Sequence, residues 1–143
     1  DFCLSRGLGD VYKRQGCDVV VVHDAARPLA PSSLFTDVIA AVRGGADAAV
    51  PGLPVTDTVK RVEDGRVVDT PPRDGLVSVQ TPQAFRAEVL RAAHQSGGDA
   101  TDDAALVETH GGTVVVVPGA RSNLKVTGAG DLLVAGALLA DEP

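Results

Sequence analysis

The chain has 143 residues, 44% of them hydrophobic, 3% aromatic and 22% charged, with a formal net charge of -6. This length supports one domain with a core of small aliphatic side chains, and the acidic balance excludes a nucleic-acid binder, which needs a basic face against phosphates. No apolar run approaches the roughly 20 residues that cross a bilayer, and Cys3 and Cys17 have neither metal-ligand nor disulfide-scaffold spacing, which points to the cytoplasm.

Residues 1–15 carry no helical or strand period, and DVYKRQ at 10–15 reads like translated adapter DNA. They are set aside as a non-native or irregular leader. The chain contains no Met and begins with Asp1, so 16–143 is expected to be part of a larger domain. The β-branched run DVVVVH at 18–23 predicts a strand buried on both faces of a parallel sheet. Pro31, Ser32 and Ser33 then open a helix that buries Leu34, Val38, Ile39 and Val42 and stops at Gly44 and Gly45. A second apolar strand covers 46–50.

From 58 to 68 the chain reads TVKRVEDGRVV, two short alternating strands around Asp64-Gly65. That is a primed-turn hairpin, and its polar content predicts an arm at about 57–72 that projects from the sheet. A further strand is expected at 76–80, closed by Thr81, Pro82 and Gln83. Helices follow at 86–95 and, capped by Thr101, through 109. Strands at 113–117 and 124–126 lead to a last helix that opens at Thr127 and is expected to pack Leu132, Leu133, Ala135, Leu138 and Leu139 inward. The alternation of strands and helices predicts a doubly wound, mostly parallel α/β sheet covered on both faces.

Ligands of such sheets bind beyond the carboxyl ends of the strands. Asp24 follows the most strongly marked strand and is a candidate for a sugar hydroxyl or for a Mg²⁺ that also binds substrate phosphates; as a plain structural residue it would cap a turn. Arg27 is placed to pair with Asp24 or with a phosphate. Lys125, expected at a strand end, needs an anion there, unless it simply snorkels to the surface. Arg73 alone reads as a solvated loop residue, and Thr58, Thr81 and Gln83 are isolated polar groups near strand ends. His23, which ends a buried run, is taken as structural.

The ordered set is more specific than its parts. VVVHDAARP at 20–28, DTVKR at 57–61, RDGL at 73–76, TPQAF at 81–85, TDDA at 101–104 and NLKVT at 123–127 follow one another along the chain. Together they resemble the 2-C-methyl-D-erythritol 4-phosphate cytidylyltransferase family over about 18–140. The resemblance implies a nucleotidyltransferase fold, Rossmann-like, and a homodimer interlocked through the β-arm. It implies CTP and methylerythritol phosphate as substrates and Mg²⁺ or another divalent cation. Asp24, Arg27, Thr58 and Thr81 are then substrate-binding, with Asp24 near the metal. Arg73, reaching across the dimer, and Lys125 are the catalytic groups that position the attacking phosphate. The family's glycine-rich CTP loop has no counterpart in 1–15, so the chain alone is expected to be inactive and poorly stable. A ribitol 5-phosphate cytidylyltransferase and a non-catalytic phosphosugar-binding or dimerisation module are the rival readings.

Overall fold

In a computed structural model, the described residues are 2–5, 16–96 and 100–140. The apolar runs form β1 (Phe2–Ser5), β2 (Val19–Val22), β3 (Ala48–Pro54), β6 (Val77–Val79), β7 (Gln83–Arg86) and β8 (Val114–Pro118), joined in a single sheet. The order across it is β1-β2-β7-β3, with β8 on the far side of β3 and β6 continuing the line of β7 along β3. Strand β1 runs parallel to β2 and β8 parallel to β3, whereas β6 and β7 run antiparallel to their neighbours. The sheet is therefore mixed.

Helices cover both faces, as the doubly wound reading requires. On one side α1 (Ser32–Arg43) sets Val38 and Val42 against Val19, Val21, Ala49 and Ala84. On the other, α2 (Ala87–Ser96) and α3 (Asp103–Thr109) bury Leu90, Ala93, Leu106 and Val107 against Val20, Val50 and Phe85. Alternate valines of β2 thus feed opposite cores, which is the pattern of a strand buried on both faces. Phe85 and Leu90 are fully buried, and each such side chain contributes about 1.5–3 kcal/mol through removal from water.

The arm forms as the sequence predicts. Among the described residues β4 (Arg61–Glu63) and β5 (Arg66–Asp69) pair only with each other, and both Asp64 and Gly65 adopt positive φ, as a type I′ turn demands. Every residue of the two strands is exposed, Val62 and Val67 included.

Several expectations need correction. Phe2–Ser5 pairs with β2 from the segment read as an irregular leader; the remainder of that leader, 1 and 6–15, lies outside the described residues. TPQAF does not merely close a strand: Gln83–Arg86 is itself β7, wedged between β2 and β3. Residues 124–126 are not a strand, because their amides bond locally and across to another loop: Leu124 N–H to Ser122 C=O and Val126 N–H to Ala26 C=O. The cap of α3 is Asp102, not Thr101, its carboxylate accepting from Ala105 N–H at 2.8 Å. The last helix, α4 (Ala129–Ala140), starts beyond Thr127 and buries only Ala135; Leu132, Leu133 and Leu139 are more than half exposed. A helix apolar all round has no single stripe to turn inward, and the described residues cover only one line of it.

Candidate active site

The carboxyl ends of β2, β3 and β8 lie on one edge of the sheet, and the loops that follow β2 and β8 meet there. Leaving β2, the chain turns at once: Arg27 N–H donates to Asp24 C=O at 2.9 Å, and Ala26 N–H donates to Asp24 Oδ1 at 3.1 Å. This is the aspartate-stabilised turn that a short carboxylate favours. The other carboxylate oxygen, Oδ2, faces Lys125 Nζ at 2.8 Å. The Lys125 ammonium holds the Asp24 carboxyl below its ordinary range, partial burial opposes this, and Ala26 N–H and the Arg27 charge reinforce it.

Thr81, just before β7, anchors the same turn. Its Oγ1 accepts Asp24 N–H at 2.9 Å and lies 3.0 Å from His23 Nδ1. His23 Nε2 is 3.1 Å from Arg27 C=O. A carbonyl only accepts, so Nε2 carries the hydrogen, and in the neutral ring Nδ1 accepts a hydrogen bond from the Thr81 hydroxyl. The imidazole, tilted against Phe35 with ring centroids 5.2 Å apart, therefore fixes the direction of the Thr81 hydroxyl.

Four of the six residues expected at the site come together: Asp24, Arg27, Thr81 and Lys125. Arg27 serves the scaffold here. Its Nη1 donates to Asn123 C=O at 2.8 Å, tying the turn after β2 to the loop that carries Lys125. Among the described residues, the hydrogen bond of Arg73 goes elsewhere, and Thr58 has no hydrogen bond to this group within the single chain. Thr58 is exposed at the base of the arm, and Arg73, also exposed, donates to Thr56 C=O.

Two residues given no role by the sequence are buried at the centre of the site. Gln80 is 5% exposed and Asn123 is 0% exposed. Asn123 Nδ2 donates to Thr81 C=O at 2.8 Å, and Gln80 Nε2 donates to Ala120 C=O at 3.0 Å. Their signal was available in part: Asn123 opens the NLKVT segment, and Gln80 ends an apolar stretch directly before Thr81. Nothing in spacing alone distinguishes such amides from surface ones.

For a divalent cation the fit is partial. Among the described residues no three His, Cys, Asp or Glu side chains group as a metal-holding set. Asp24, at the sheet edge with its carboxylate partly exposed, suits a cation that is held chiefly by substrate phosphates.

Fold and site together define an α/β protein of the nucleotidyltransferase type, with a carboxylate–ammonium pair at the ligand edge of its sheet. The family model for 2-C-methyl-D-erythritol 4-phosphate cytidylyltransferase (IspD) matches residues 4–141, and the chain belongs to that family. It is 57% identical over 124 residues to the enzyme of that name from Frankia casuarinae, covering 85% of this chain and 47% of the relative. To the one from Saccharopolyspora erythraea it is 54% identical, covering 85% of this chain and 55% of the relative. The chain spans about half the length of these curated relatives. Among solved structures, the Thermus thermophilus cytidylyltransferase superposes with a TM-score of 0.77 at 39% identity, over 87% of this chain and 63% of that one. The synthase from Anaerococcus prevotii does so with a TM-score of 0.83 at 33% identity, over 92% and 64%.

Proposed function

We propose that the whole protein transfers a cytidylyl group from CTP to 2-C-methyl-D-erythritol 4-phosphate. The carrying observation is the Lys125–Asp24 pair, 2.8 Å apart at the sheet edge of a chain in this family. The substrate's phosphate oxygen attacks the α-phosphorus of CTP, the bond to the β-phosphate bridge breaks, and pyrophosphate leaves. The product is 4-diphosphocytidyl-2-C-methyl-D-erythritol. Such a transfer depends on positioning and charge neutralisation rather than on a covalent enzyme intermediate.

Each residue has a part in this reading. The Lys125 ammonium moves from Asp24 to the attacking phosphate and offsets its charge. Asp24, thereby released, accepts from the substrate's hydroxyls. Thr81 and Arg27 keep the Asp24 turn in place, and Thr58 lines the pocket from the arm side. Arg73 arrives from the partner protomer of a homodimer joined through the arm, whose exposed Val62 and Val67 are suited to burial against a second copy. Mg²⁺ or a similar cation, bound by the phosphates with Asp24 nearby, would withdraw charge from the reacting phosphoryl groups. No helix among the described residues is long and apolar enough to cross a membrane, and the cysteine usage fits a cytoplasmic enzyme.

The test is pyrophosphate release by the whole protein with CTP and either methylerythritol phosphate or ribitol 5-phosphate. The reading requires preference for methylerythritol phosphate. Preference for ribitol 5-phosphate would transfer the assignment to that relative, and release with neither would leave a binding or dimerisation module.

A further inference from the structure

Residues 119–126 carry Lys125 to Asp24 without belonging to any helix or strand. An irregular segment of this kind places a charged group accurately only if something replaces the missing ladder of backbone hydrogen bonds. Here one buried side chain does so. Gln80 Nε2 donates to the carbonyls of Ala120 at 3.0 Å and Asn123 at 3.2 Å, and Gln80 Oε1 accepts from Ala120 N–H at 3.1 Å and Asn123 Nδ2 at 3.4 Å. The amide meets both the donor and the acceptor of Ala120, as the backbone of a neighbouring strand would.

The surroundings are shaped for this amide. A Cβ on Gly119 would lie 2.8 Å from Gln80 Oε1 and 3.1 Å from the Gly52 backbone. Gly119 N–H donates to Gly52 C=O at 2.9 Å, so the loop leaves β8 pressed against β3. Gln80 N–H is itself fixed on Pro51 C=O at 2.8 Å. From this anchored point the network runs through Asn123, whose side chain holds Thr81 C=O and whose own carbonyl receives Arg27.

We propose that Gln80 is a positioning residue of this site, its side-chain amide standing in for a strand partner and setting Lys125 and Arg27 in register with Asp24. The role that it serves rests on the functional reading above, but the placement of Lys125 against Asp24 does not.

Two variants approach the amide from opposite sides. Gln80→Met removes all four of its hydrogen bonds at similar volume. Gly119→Ala leaves every hydrogen-bonding group intact and presses one methyl hardest on the amide, at 2.8 Å, and less on the Gly52 backbone, at 3.1 Å, so it carries the test should Gln80→Met fail to fold. The first readout is the Asp24 carboxyl titration in the whole protein, followed by carbon NMR. Loss of Lys125 registry moves it upward toward the ordinary carboxylate value in both variants. The second is steady-state kinetics of the whole protein: kcat/KM for methylerythritol phosphate falls about 100-fold, as about 1 Å of misplacement can cause, while KM for CTP stays within about twofold. A merely structural residue would lower the melting temperature and leave both readouts unchanged in folded protein, and that result overturns the proposal. If the wild type turns over no CTP yet the titration shifts as expected, the positioning role stands and the functional reading falls.

Discussion

Lys125 and Asp24 lie near opposite ends of the chain, yet their charged groups meet at 2.8 Å, each brought there by a loop that leaves the carboxyl edge of the same sheet. The pair is half open to solvent on the lysine side, with side-chain exposures of 51% and 29%. Its contribution to folding is therefore about 0–1 kcal/mol after screening, too little to explain its placement as a stabilising device. Replacing Lys125 by Met should leave the melting temperature nearly unchanged and lower kcat/KM for methylerythritol phosphate by about 100-fold or more, the scale for losing one preorganised charge-stabilising donor. Parallel thermal melts and pyrophosphate-release assays of the whole protein check both halves.

The same pair sets a pH dependence. The Asp24 carboxyl is held below its ordinary value of 3.8, first by the Lys125 ammonium, and Asp131 is held below 3.8 by Thr127 N–H, the Thr127 hydroxyl and Gly128 N–H at the start of α4. The folded state binds these protons less readily than the unfolded chain does. Both contributions are therefore complete above about pH 3.8 and vanish as pH falls through the lower folded values. Urea unfolding of Asp24→Asn and Asp131→Asn should show each variant least stable, relative to wild type, at neutral pH and converging on it in strong acid. A difference that widened with acid would contradict this sign.

Phe85 gives a stability prediction for the strand that the sequence did not announce. It is fully buried on β7 between β2 and β3, so Phe85→Ala should cost about 3–5 kcal/mol. Denaturant unfolding monitored by far-ultraviolet circular dichroism measures it. A loss below about 1 kcal/mol would mean that β7 does not hold the sheet together.

Asp102 joins a helix cap to the ligand edge. One carboxylate oxygen accepts from Ala105 N–H at 2.8 Å and the other from Gln83 Nε2 at 3.1 Å. Asp102→Ala should destabilise by about 0.5–2 kcal/mol, the range for a lost N-cap, whereas Thr101→Ala should be nearly silent. Equal effects at the two positions would restore Thr101 as the cap.

How much of this was readable beforehand follows from physical range. Strand β2 announced itself because four consecutive valines bury on both faces, and the arm did so because Asp64-Gly65 is a local turn signal. β7 was hidden because QAFR is short and follows a proline, and its pairing is set by strands distant in sequence. Residues 124–126 look like a strand by composition, but the partner of their loop is a side chain, Gln80, which no periodicity reveals. The apolar length of α4 showed that a helix forms there, not which face would be covered. Asp24, Thr81, Arg27 and Lys125, which the fold brings together, were singled out through ordered motifs, whereas the buried amides that hold them together emerged only once their hydrogen bonds could be traced. Arg73 and Thr58 remain proposals of the dimer, since among the described residues of a single chain neither hydrogen-bonds to the cluster.

The proposal that two protomers complete one sugar-phosphate site is tested directly by subunit complementation. Whole-protein Lys125→Met and Arg73→Met variants, each strongly impaired alone, are mixed, unfolded and refolded together. If Arg73 acts across the interface, a mixed dimer holds one intact site, with Lys125 from one protomer and Arg73 from its partner, and about a quarter of wild-type activity returns at statistical exchange. If no activity returns although mixed dimers form, Arg73 and Lys125 do not serve the same site from two chains, and the account is contradicted.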